Sequence, residues 1–380
     1  MSRILFVTNS FENGAIPNIL LDLAPLWRNR GFDCVFLALE PLPENQASVL
    51  RCRELNFPLY SLNVGPRSVF LALARLRRAI RELKPDLIST HLGRADVYTP
   101  WVKGRVPVIT THHNVKENHG RLTNWGYRLS DHLVASRTGV SKACNDSFLA
   151  GGFLSTPHLV IYNPVNPERL IASRGRAELL RTWGWEEPIR LLVAVARLVP
   201  QKGHADLLKA FAELKAGGAS DLRLAIAGEG PLRNQLESQV TQLRLEHEVR
   251  FLGLFDQVAD LYAVADALVL PSLWEGFGLV ILEAWLQECP VAASALPPIK
   301  EFVIDGFNGV LFEPGNVTSI KDAVLRLLES PSTSKEQARR GRALVLEQFS
   351  PSVIANQYAD LFDSTLLQDR EKKYKEKTPP

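Results

Sequence analysis

The chain is poor in cysteine, with four in 380 residues: Cys34, Cys52, Cys144 and Cys289. They are scattered, and none forms a CxxC pair. This scarcity excludes a disulfide framework, and the spacing excludes the common zinc motifs. We therefore expect reduced thiols in a cytoplasmic protein.

Long apolar runs and an excess of one charge are also missing. The opening "MSRILFVTNS" has only a short apolar run before Thr8, which favours a first strand over a signal peptide. No stretch approaches the ~20 apolar residues of a spanning helix. The formal net charge is +3, so nothing at whole-chain level indicates a nucleic-acid partner. Only the tail "DREKKYKEKTPP" is low in complexity, and we expect it to be disordered.

Strand-like and helix-like stretches alternate along the chain. The strand candidates before Val165 are "RILFVTNS", "DCVFLAL", "FPLYSLNV", "DLISTHL", "VPVITTHH", "RTGVS" and "HLVIYNP". Those after it are "IRLLVAVARL", "DLRLAIAGEG", "EVRFLGLF", "DALVLPSL", "CPVAASAL" and "NGVLFEP". Such alternation predicts an α/β fold of two doubly wound, Rossmann-like domains facing each other across a cleft, in which a ligand binds.

The domain boundary is predicted where the alternation pauses, at "YNPVNPERL" with Pro164 and Pro167. We expect an N-terminal domain over 1–165 and a C-terminal domain over 166–349. A last helix follows over 350–366, and then a charged tail over 367–380.

Two cations follow the first strand of the second domain. Arg197 ends "LLVAVARL", and Lys202 lies in the next loop, an arrangement typical of an anion clamp. The alternative is two solvated loop charges. "LAIAGEGPLR" places Gly228 after the next strand, where an ordinary strand-to-helix turn is the alternative to a ligand loop.

Two glutamates lie in a stretch that otherwise resembles core, "SLWEGFGLVILEAW". Glycines 276 and 278 allow the backbone to approach a ligand, and the following helix N-terminus favours an anion. Glu275 and Glu283 are up to ~12 Å apart at helical rise, too far for a glycosidase pair at roughly 5 to 9.5 Å. They could instead hold the two ends of an extended, hydroxyl-rich ligand such as a nucleotide-sugar. The alternatives are a loop charge and a solvated helix position.

In the first domain, the candidates are Gly14, in the loop after the first strand, and His112, at the end of "VITTHHN". His112 could bind a sugar hydroxyl or be structural. With His91, His113 and His119 it matches no common zinc pattern, so no metal site is predicted.

Taken together, these motifs resemble the retaining glycosyltransferases of the GT-B fold, family 4 (the glycosyl transferases group 1 type). The most specific part is E-x7-E in "EGFGLVILE", supported by "ARLVPQKG" and "AGEGPLR". "IYNPVNPERL" resembles the interdomain segment, with Pro164 and Asn166 in place of the usual Gly and Asp. "FSPSVIANQYADLF" resembles the C-terminal helix that crosses back onto the first domain.

The resemblance implies a role for each candidate in binding a nucleotide-diphosphate-sugar donor, which is a substrate, so no cofactor is expected. Arg197 and Lys202 would bind the diphosphate, Glu283 the ribose and Glu275 the sugar hydroxyls, while His112 would lie near the transferred sugar. The remaining donor-side positions are Gly14, Gly228, Gly276, Phe277, Gly278 and Leu279. The first-domain loop, Asn13-Gly14-Ala15-Ile16, lacks the family's acidic residue, which leaves the acceptor open.

The expected activity is metal-independent, retaining transfer of a hexose to an acceptor hydroxyl, in polysaccharide, lipopolysaccharide or glycolipid synthesis. A GT-B sugar-nucleotide epimerase and a non-catalytic nucleotide-sugar-binding subunit are the alternatives. The basic segment 67–84 could contact an anionic membrane where a lipid-linked acceptor lies, or be an amphipathic surface helix. The expected location is cytoplasmic, peripheral at the inner face of the membrane if that contact forms.

Overall fold

A computed structural model describes residues 1–12, 14–152 and 158–377. They form two compact units. The first consists of residues 1–164 and the C-terminal helix that begins at Pro351, and the second of Val165–Ser350.

The first unit is built on a parallel sheet that, over the described residues, has seven strands in the order β3-β2-β1-β4-β5-β6-β7. The strands are β1 Ser2–Thr8, β2 Phe32–Ala38, β3 Leu59–Ser61, β4 Leu87–His91, β5 Val108–His112, β6 Ser136–Gly139 and β7 His158–Val160. Each stretch predicted as a strand overlaps one, so this part of the prediction is confirmed. The order reverses between β1 and β4, where doubly wound sheets bind ligands at the carboxyl ends of their strands.

The helices of the first unit cover this sheet. They are α1 Ala15–Asn29, α2 Ala47–Glu54, α3 Val69–Leu83, α4 Gly93–Val102, α5 Arg121–Ser130 and α6 Lys142–Ala150. Helix α1 ends at Asn29, and Gly31 takes the left-handed conformation (φ +89°) just past its last turn, as glycines after helices commonly do.

The C-terminal helix packs onto the first unit. Trp27 Nε1 donates a hydrogen bond of 3.0 Å to the carbonyl of Ala355, and the ring of Phe362 lies against Trp27. The charged tail that we expect to be disordered instead continues this helix over residues 369–377, where Lys373 pairs with Asp369 at 2.5 Å. Its last residues, 378–380, lie outside the described residues.

The second unit repeats the architecture with a parallel sheet of six strands over its described residues, ordered β10-β9-β8-β11-β12-β13. The strands are β8 Arg190–Val195, β9 Leu222–Ala227, β10 Val249–Gly253, β11 Ala267–Leu270, β12 Val291–Ser294 and β13 Val310–Phe312. The helices are α7 Arg176–Thr182, α8 His204–Ala216, α9 Arg233–Gln242, α10 Val258–Val264, α11 Leu279–Leu286, α12 Val317–Glu329 and α13 Pro331–Gln348; α14, Pro351–Lys377, is the C-terminal helix. The order reverses between β8 and β11, and all predicted strands are again present.

The four cysteines are buried thiols. Burial raises the pKa of Cys34, Cys52 and Cys289 to about 12, so these three stay protonated near neutral pH. Over the described part of the chain, no helix is both long and apolar enough to cross a bilayer.

Candidate functional site

The loop after β8 carries the two predicted cations. Arg197 is exposed, and within the described residues its guanidinium has no hydrogen bond or ion pair. Lys202 ends a 3-10 turn, Pro200–Lys202. Gly203 follows with φ +66°, and a Cβ there would overlap the carbonyl oxygen of Pro271. A glycine is therefore required for this loop to lie against the end of β11.

Lys202 is bonded to Glu275. Its Nζ lies 2.5 Å from Glu275 Oε1, and the Ser272 hydroxyl donates to the same oxygen at 2.7 Å. Glu275 is only 7% exposed and Ser272 is fully buried. A carboxylate is tolerated in this core-like stretch because a cation and a hydroxyl stabilise its charge. Ser272 is a residue that the sequence analysis did not single out.

The segment after Glu275 leads directly into α11. Gly278 has φ +104° and is followed by the first helical residue, Leu279. The side chain of Phe277 is buried against Phe302 and Phe349, and this packing anchors the segment between Glu275 and α11. The backbone of Gly276 is buried with it. The N-terminus of α11 thus lies beside β11, and its N–H groups and positive dipole end favour binding of an anion there.

Glu283 lies within α11 and is held by a buried tyrosine. Tyr262 Oη donates to Glu283 Oε2 at 3.0 Å. Burial raises the pKa of the Glu283 carboxyl, while the Tyr262 hydrogen bond and the Arg169 charge oppose this shift. Among the described residues, Glu283 Oε1 has no hydrogen-bond partner. One oxygen is therefore fixed and the other can accept from a ligand hydroxyl.

Gly228 has a packing role. Its φ is +142°, and a Cβ would overlap the carbonyl oxygen of Ala196. A Cβ at Gly230 would likewise overlap the carbonyl of Leu198. The "AGEG" turn therefore packs against the loop that carries Arg197, and its glycines allow that close approach.

His112 and His113 point to different environments in the first unit. His112 is 1% exposed and stacks on Phe148 with ring centroids 3.8 Å apart, and its Nε2 lies 3.4 Å from Arg137 Nη1. Burial, with the Arg137 charge, lowers the pKa of His112 well below its ordinary value. His113 is half-buried, and its Nε2 lies 3.1 Å from Nδ1 of the buried His91. His112 is thus a core side chain, and His113 is the less buried of the two histidines. The doublet itself was visible in the sequence, but burial was needed to choose between its members.

The backbone conformation of Gly14 does not require a glycine, so it adds no support to the prediction that a ligand closely approaches this residue. It precedes α1 with an extended backbone, φ −165° and ψ 171°, which any residue can adopt. Asn13, the other residue of this predicted loop, lies outside the described residues.

Two aspartates in the α10 region of the second unit, Asp260 within the helix and Asp266 just after it, have protein partners. Asp260 accepts hydrogen bonds from the backbone of Ser173 and from Arg174 Nε, and Asp266 accepts from the backbone N–H of Leu191. Among residues 1–12, 14–152 and 158–377, no three His, Cys, Asp or Glu side chains group as metal ligands do.

Comparison with protein families places these features in a known group. The model described as Glycosyl transferases group 1 matches residues 176–344, and that described as Glycosyltransferase Family 4 matches residues 16–169. The chain is a GT-B glycosyltransferase of the family 4 type. The predicted family and fold are confirmed, because one matched region covers most of the first Rossmann-like unit and the other most of the second.

The similarity to individual known proteins extends over most of the chain. It is 28% identical to N-acetyl-alpha-D-glucosaminyl L-malate synthase of Bacillus anthracis, over 83% of this chain and 86% of that protein. It is 27% identical to the lipopolysaccharide core biosynthesis glycosyltransferase LpsE of Rhizobium meliloti strain 1021, over 83% and 85%. The crystal structure of Anabaena Alr3699/HepE in complex with UDP-glucose shares the fold, with a TM-score of 0.82, 23% identity and coverage of 96% and 100%.

Proposed function

We propose that this glycosyltransferase moves a hexose, with retention of configuration, from a nucleotide-diphosphate-sugar to an acceptor hydroxyl in polysaccharide, lipopolysaccharide or glycolipid synthesis. The observation that carries the proposal is the cluster of Arg197, Lys202, Ser272 and Glu275 beside the N-terminus of α11. It lies at the β8/β11 reversal of the second sheet, where α/β sheets bind ligands.

The positive groups of this cluster suit the departing diphosphate. Negative charge grows on the leaving group as the glycosidic bond breaks, and preorganised donors stabilise it most in the transition state. Arg197 has a guanidinium without a protein partner among the described residues, and Lys202 is fixed by Glu275. This supports a metal-independent reaction.

The two glutamates suit the hydroxyls at either end of such a donor. Glu283 has one oxygen available for ribose, and Glu275, beside the diphosphate cations, is assigned to the sugar hydroxyls. We assign to His113 the role near the transferred sugar that the resemblance gives to His112, because His113 is the less buried of the two. Retention itself rests on the likeness of the E-x7-E segment. The nucleotide-sugar donor is further supported by the UDP-glucose bound to the structural neighbour HepE.

We also propose that the enzyme is cytoplasmic and contacts an anionic membrane through the first unit. At the N-terminus of α3, Val69, Phe70 and Leu71 are exposed, Phe70 by 89%, and Arg67 precedes them. Large apolar side chains beside arginine are typical of helices at a lipid interface. Two arginines of the basic segment have protein partners: Arg75 donates to the carbonyl of Leu62, and Arg78 pairs with Glu82.

Helix α5 adds a second surface of the same character. Its exposed side chains are all arginine or large and apolar: Arg121, Leu122, Trp125, Arg128 and Leu129. No acidic residue lies in the helix. Helix α4 contacts both α3 and α5, so the three lie side by side on one face of the sheet. Anionic headgroups match the arginines, and the apolar side chains fit the boundary with the acyl chains.

Two measurements test the activity. A panel of nucleotide-sugars scored by thermal shift should find one that raises the melting temperature, since a ligand of the folded state stabilises it by mass action. With that donor, free nucleotide diphosphate should appear faster when a sugar or lipid-linked acceptor is added, and the glycoside formed should keep the anomeric configuration of the donor. Conversion of the donor to its epimer would identify an epimerase, and binding without turnover across the acceptor panel would identify a binding subunit.

A further inference from the structure

Two histidines are hydrogen-bonded to each other at the carboxyl ends of neighbouring strands. His91, the last residue of β4, places Nδ1 3.1 Å from Nε2 of His113, which follows β5. The other ring nitrogen of His91, Nε2, lies 3.1 Å from the hydroxyl of Ser89, two residues earlier. Ser89, His91 and His113 thus form a chain that starts in the sheet and ends at its edge.

The chain runs from full burial to partial exposure. Ser89 is fully buried and His91 is 3% exposed, whereas His113 is half-buried. Burial lowers the pKa of His91 well below its ordinary value and that of His113 to about 3. Both rings are therefore neutral near pH 7, and each carries one N–H and one acceptor nitrogen.

The buried serine decides how the protons are ordered. Within the described residues, the hydroxyl of Ser89 has His91 Nε2 as its hydrogen-bond partner. If Nε2 carried the proton, the Ser89 O–H would be left without an acceptor in a fully buried place, which is unfavourable. Ser89 therefore donates a hydrogen bond to Nε2 of His91. The proton of His91 is then on Nδ1, and this N–H donates a hydrogen bond to His113 Nε2. His113 must then carry its own proton on Nδ1.

We propose that His91, oriented by Ser89, is a positioning residue that fixes His113 as the Nδ1–H tautomer and so presents an N–H donor to a ligand oxygen. Among the described residues, His113 Nδ1 has no hydrogen-bond partner. The ligand oxygen would be a hydroxyl of the transferred sugar, and this part of the inference rests on the proposed function. His91 itself contacts no ligand.

The tautomer can be measured without any substrate. In the full chain labelled with ¹⁵N-histidine, we expect Nδ1 of His113 to be the protonated nitrogen and Nε2 the unprotonated one; a His113→Gln variant assigns the signals. In His91→Phe, which keeps a ring but removes the donor, the His113 nitrogens should shift toward a tautomer mixture. A proton on Nε2 in the wild type, or unchanged His113 signals in His91→Phe, would overturn the inference.

A kinetic comparison tests whether positioning matters for turnover, with the donor selected by thermal shift. The side-chain N–H of asparagine can replace Nδ1–H of histidine, so His91→Asn should keep kcat within a few-fold. His91→Leu should lower kcat at least tenfold with little change in the KM for donor. Equal losses in both variants at equal melting temperatures would reduce His91 to a structural role. If His113→Gln retains full turnover while the tautomer is as expected, the assigned role of His113 fails and the hydrogen-bond order stands.

Discussion

The ammonium of Lys202 lies 2.5 Å from the carboxylate of Glu275, so a cation and a carboxylate that the sequence assigns to different parts of one ligand are bonded to each other. An ammonium has three N–H donors. Lys202 can therefore keep this bond and still donate to a phosphate oxygen, while Glu275 keeps its second oxygen for a sugar hydroxyl. The ion pair orders both groups before the ligand binds.

Breaking this pair should affect stability and turnover in different ways. Lys202→Met leaves the buried carboxylate with Ser272 alone and should lower the free energy of unfolding by about 1 to 3 kcal/mol. Adding Glu275→Gln should restore part of that stability. Turnover should remain low in both variants, because the N–H donor to the diphosphate is gone. The activation barrier should be about 2 to 4 kcal/mol higher than in the wild type. Urea unfolding and initial rates measure the two effects.

The matched control is Lys209→Met on α8, where an exposed lysine pairs with Asp206 at 3.2 Å. Such surface pairs contribute little, so stability and rate should stay near the wild type. A Lys202→Met enzyme with wild-type turnover would remove Lys202 from the proposed mechanism.

Substitutions of the two glutamates should affect nucleotide affinity and turnover differently. Glu283→Ala should weaken binding of the free nucleotide diphosphate, because the ribose contact is lost, whereas Glu275→Ala should mainly lower turnover. Since burial raises the pKa of Glu283, nucleotide affinity should also fall as the pH is lowered and the carboxylate becomes protonated, at a higher pH than for an ordinary glutamate. Calorimetric titrations measure both. Equal weakening of nucleotide binding by the two substitutions would contradict the two-ended contact.

Gly203 should tolerate no side chain. Gly203→Ala places a Cβ against the carbonyl of Pro271 in addition to its positive φ. Gly218→Ala is the control, with φ +99° but open space around its Cβ. Backbone strain alone should cost the control about 1 to 2 kcal/mol, and Gly203→Ala should lose more stability and most donor binding. Similar unfolding curves and donor affinities in the two variants would mean that the loop can move away from β11 at no cost.

The buried histidines should make the protein less stable in acid. His91 and His112 are neutral in the folded state, so below about pH 6.5 the unfolded chain binds more protons. Each then lowers the free energy of unfolding by up to about 1.4 kcal/mol per pH unit. Asp96, whose pKa burial raises to about 6, has the opposite sign, because its folded form holds a proton that the unfolded form releases.

We therefore expect the melting temperature of His112→Gln to fall less than that of the wild type when the pH is lowered from 7.5 to 5.5. The exposed His247→Gln serves as the comparison and should follow the wild type. Parallel curves for all three proteins would show that His112 is not neutral in the folded state.

The membrane contact predicts a salt-dependent association. The protein should sediment with vesicles rich in anionic lipid at low salt and be released at high salt. Phe70→Ser combined with Trp125→Ser should reduce the bound fraction severalfold, since both side chains are exposed on the proposed surface. Phe307→Ser, an exposed aromatic of the second unit, is the control and should bind normally. Binding that is absent at low salt, or equal in all variants, would leave α3 and α5 as ordinary surface helices.

The sequence by itself determined the fold class and most of the donor-side candidates. The parallel sheets could be predicted because apolar runs such as "RLLVAV" and "LRLAIA" are typical of strands buried on both faces, as in parallel sheets covered by helices. Arg197, Lys202 and Glu275 could be found because they follow predicted strands, at the edge where ligands of doubly wound sheets bind. Glu283 could be found because it is a carboxylate among apolar residues of the next helix.

Only the tertiary structure decided which side chains meet. The Lys202–Glu275 bond joins residues 73 positions apart, and Tyr262 reaches Glu283 from a different helix, α10. His112 ends β5 and His113 follows it, and successive side chains along an extended chain face opposite ways, so the two rings meet different neighbours. His112 stacks on Phe148, whereas His113 bonds to His91. Local sequence pattern carries none of these distances, since burial and hydrogen bonding depend on residues that folding brings from distant parts of the chain.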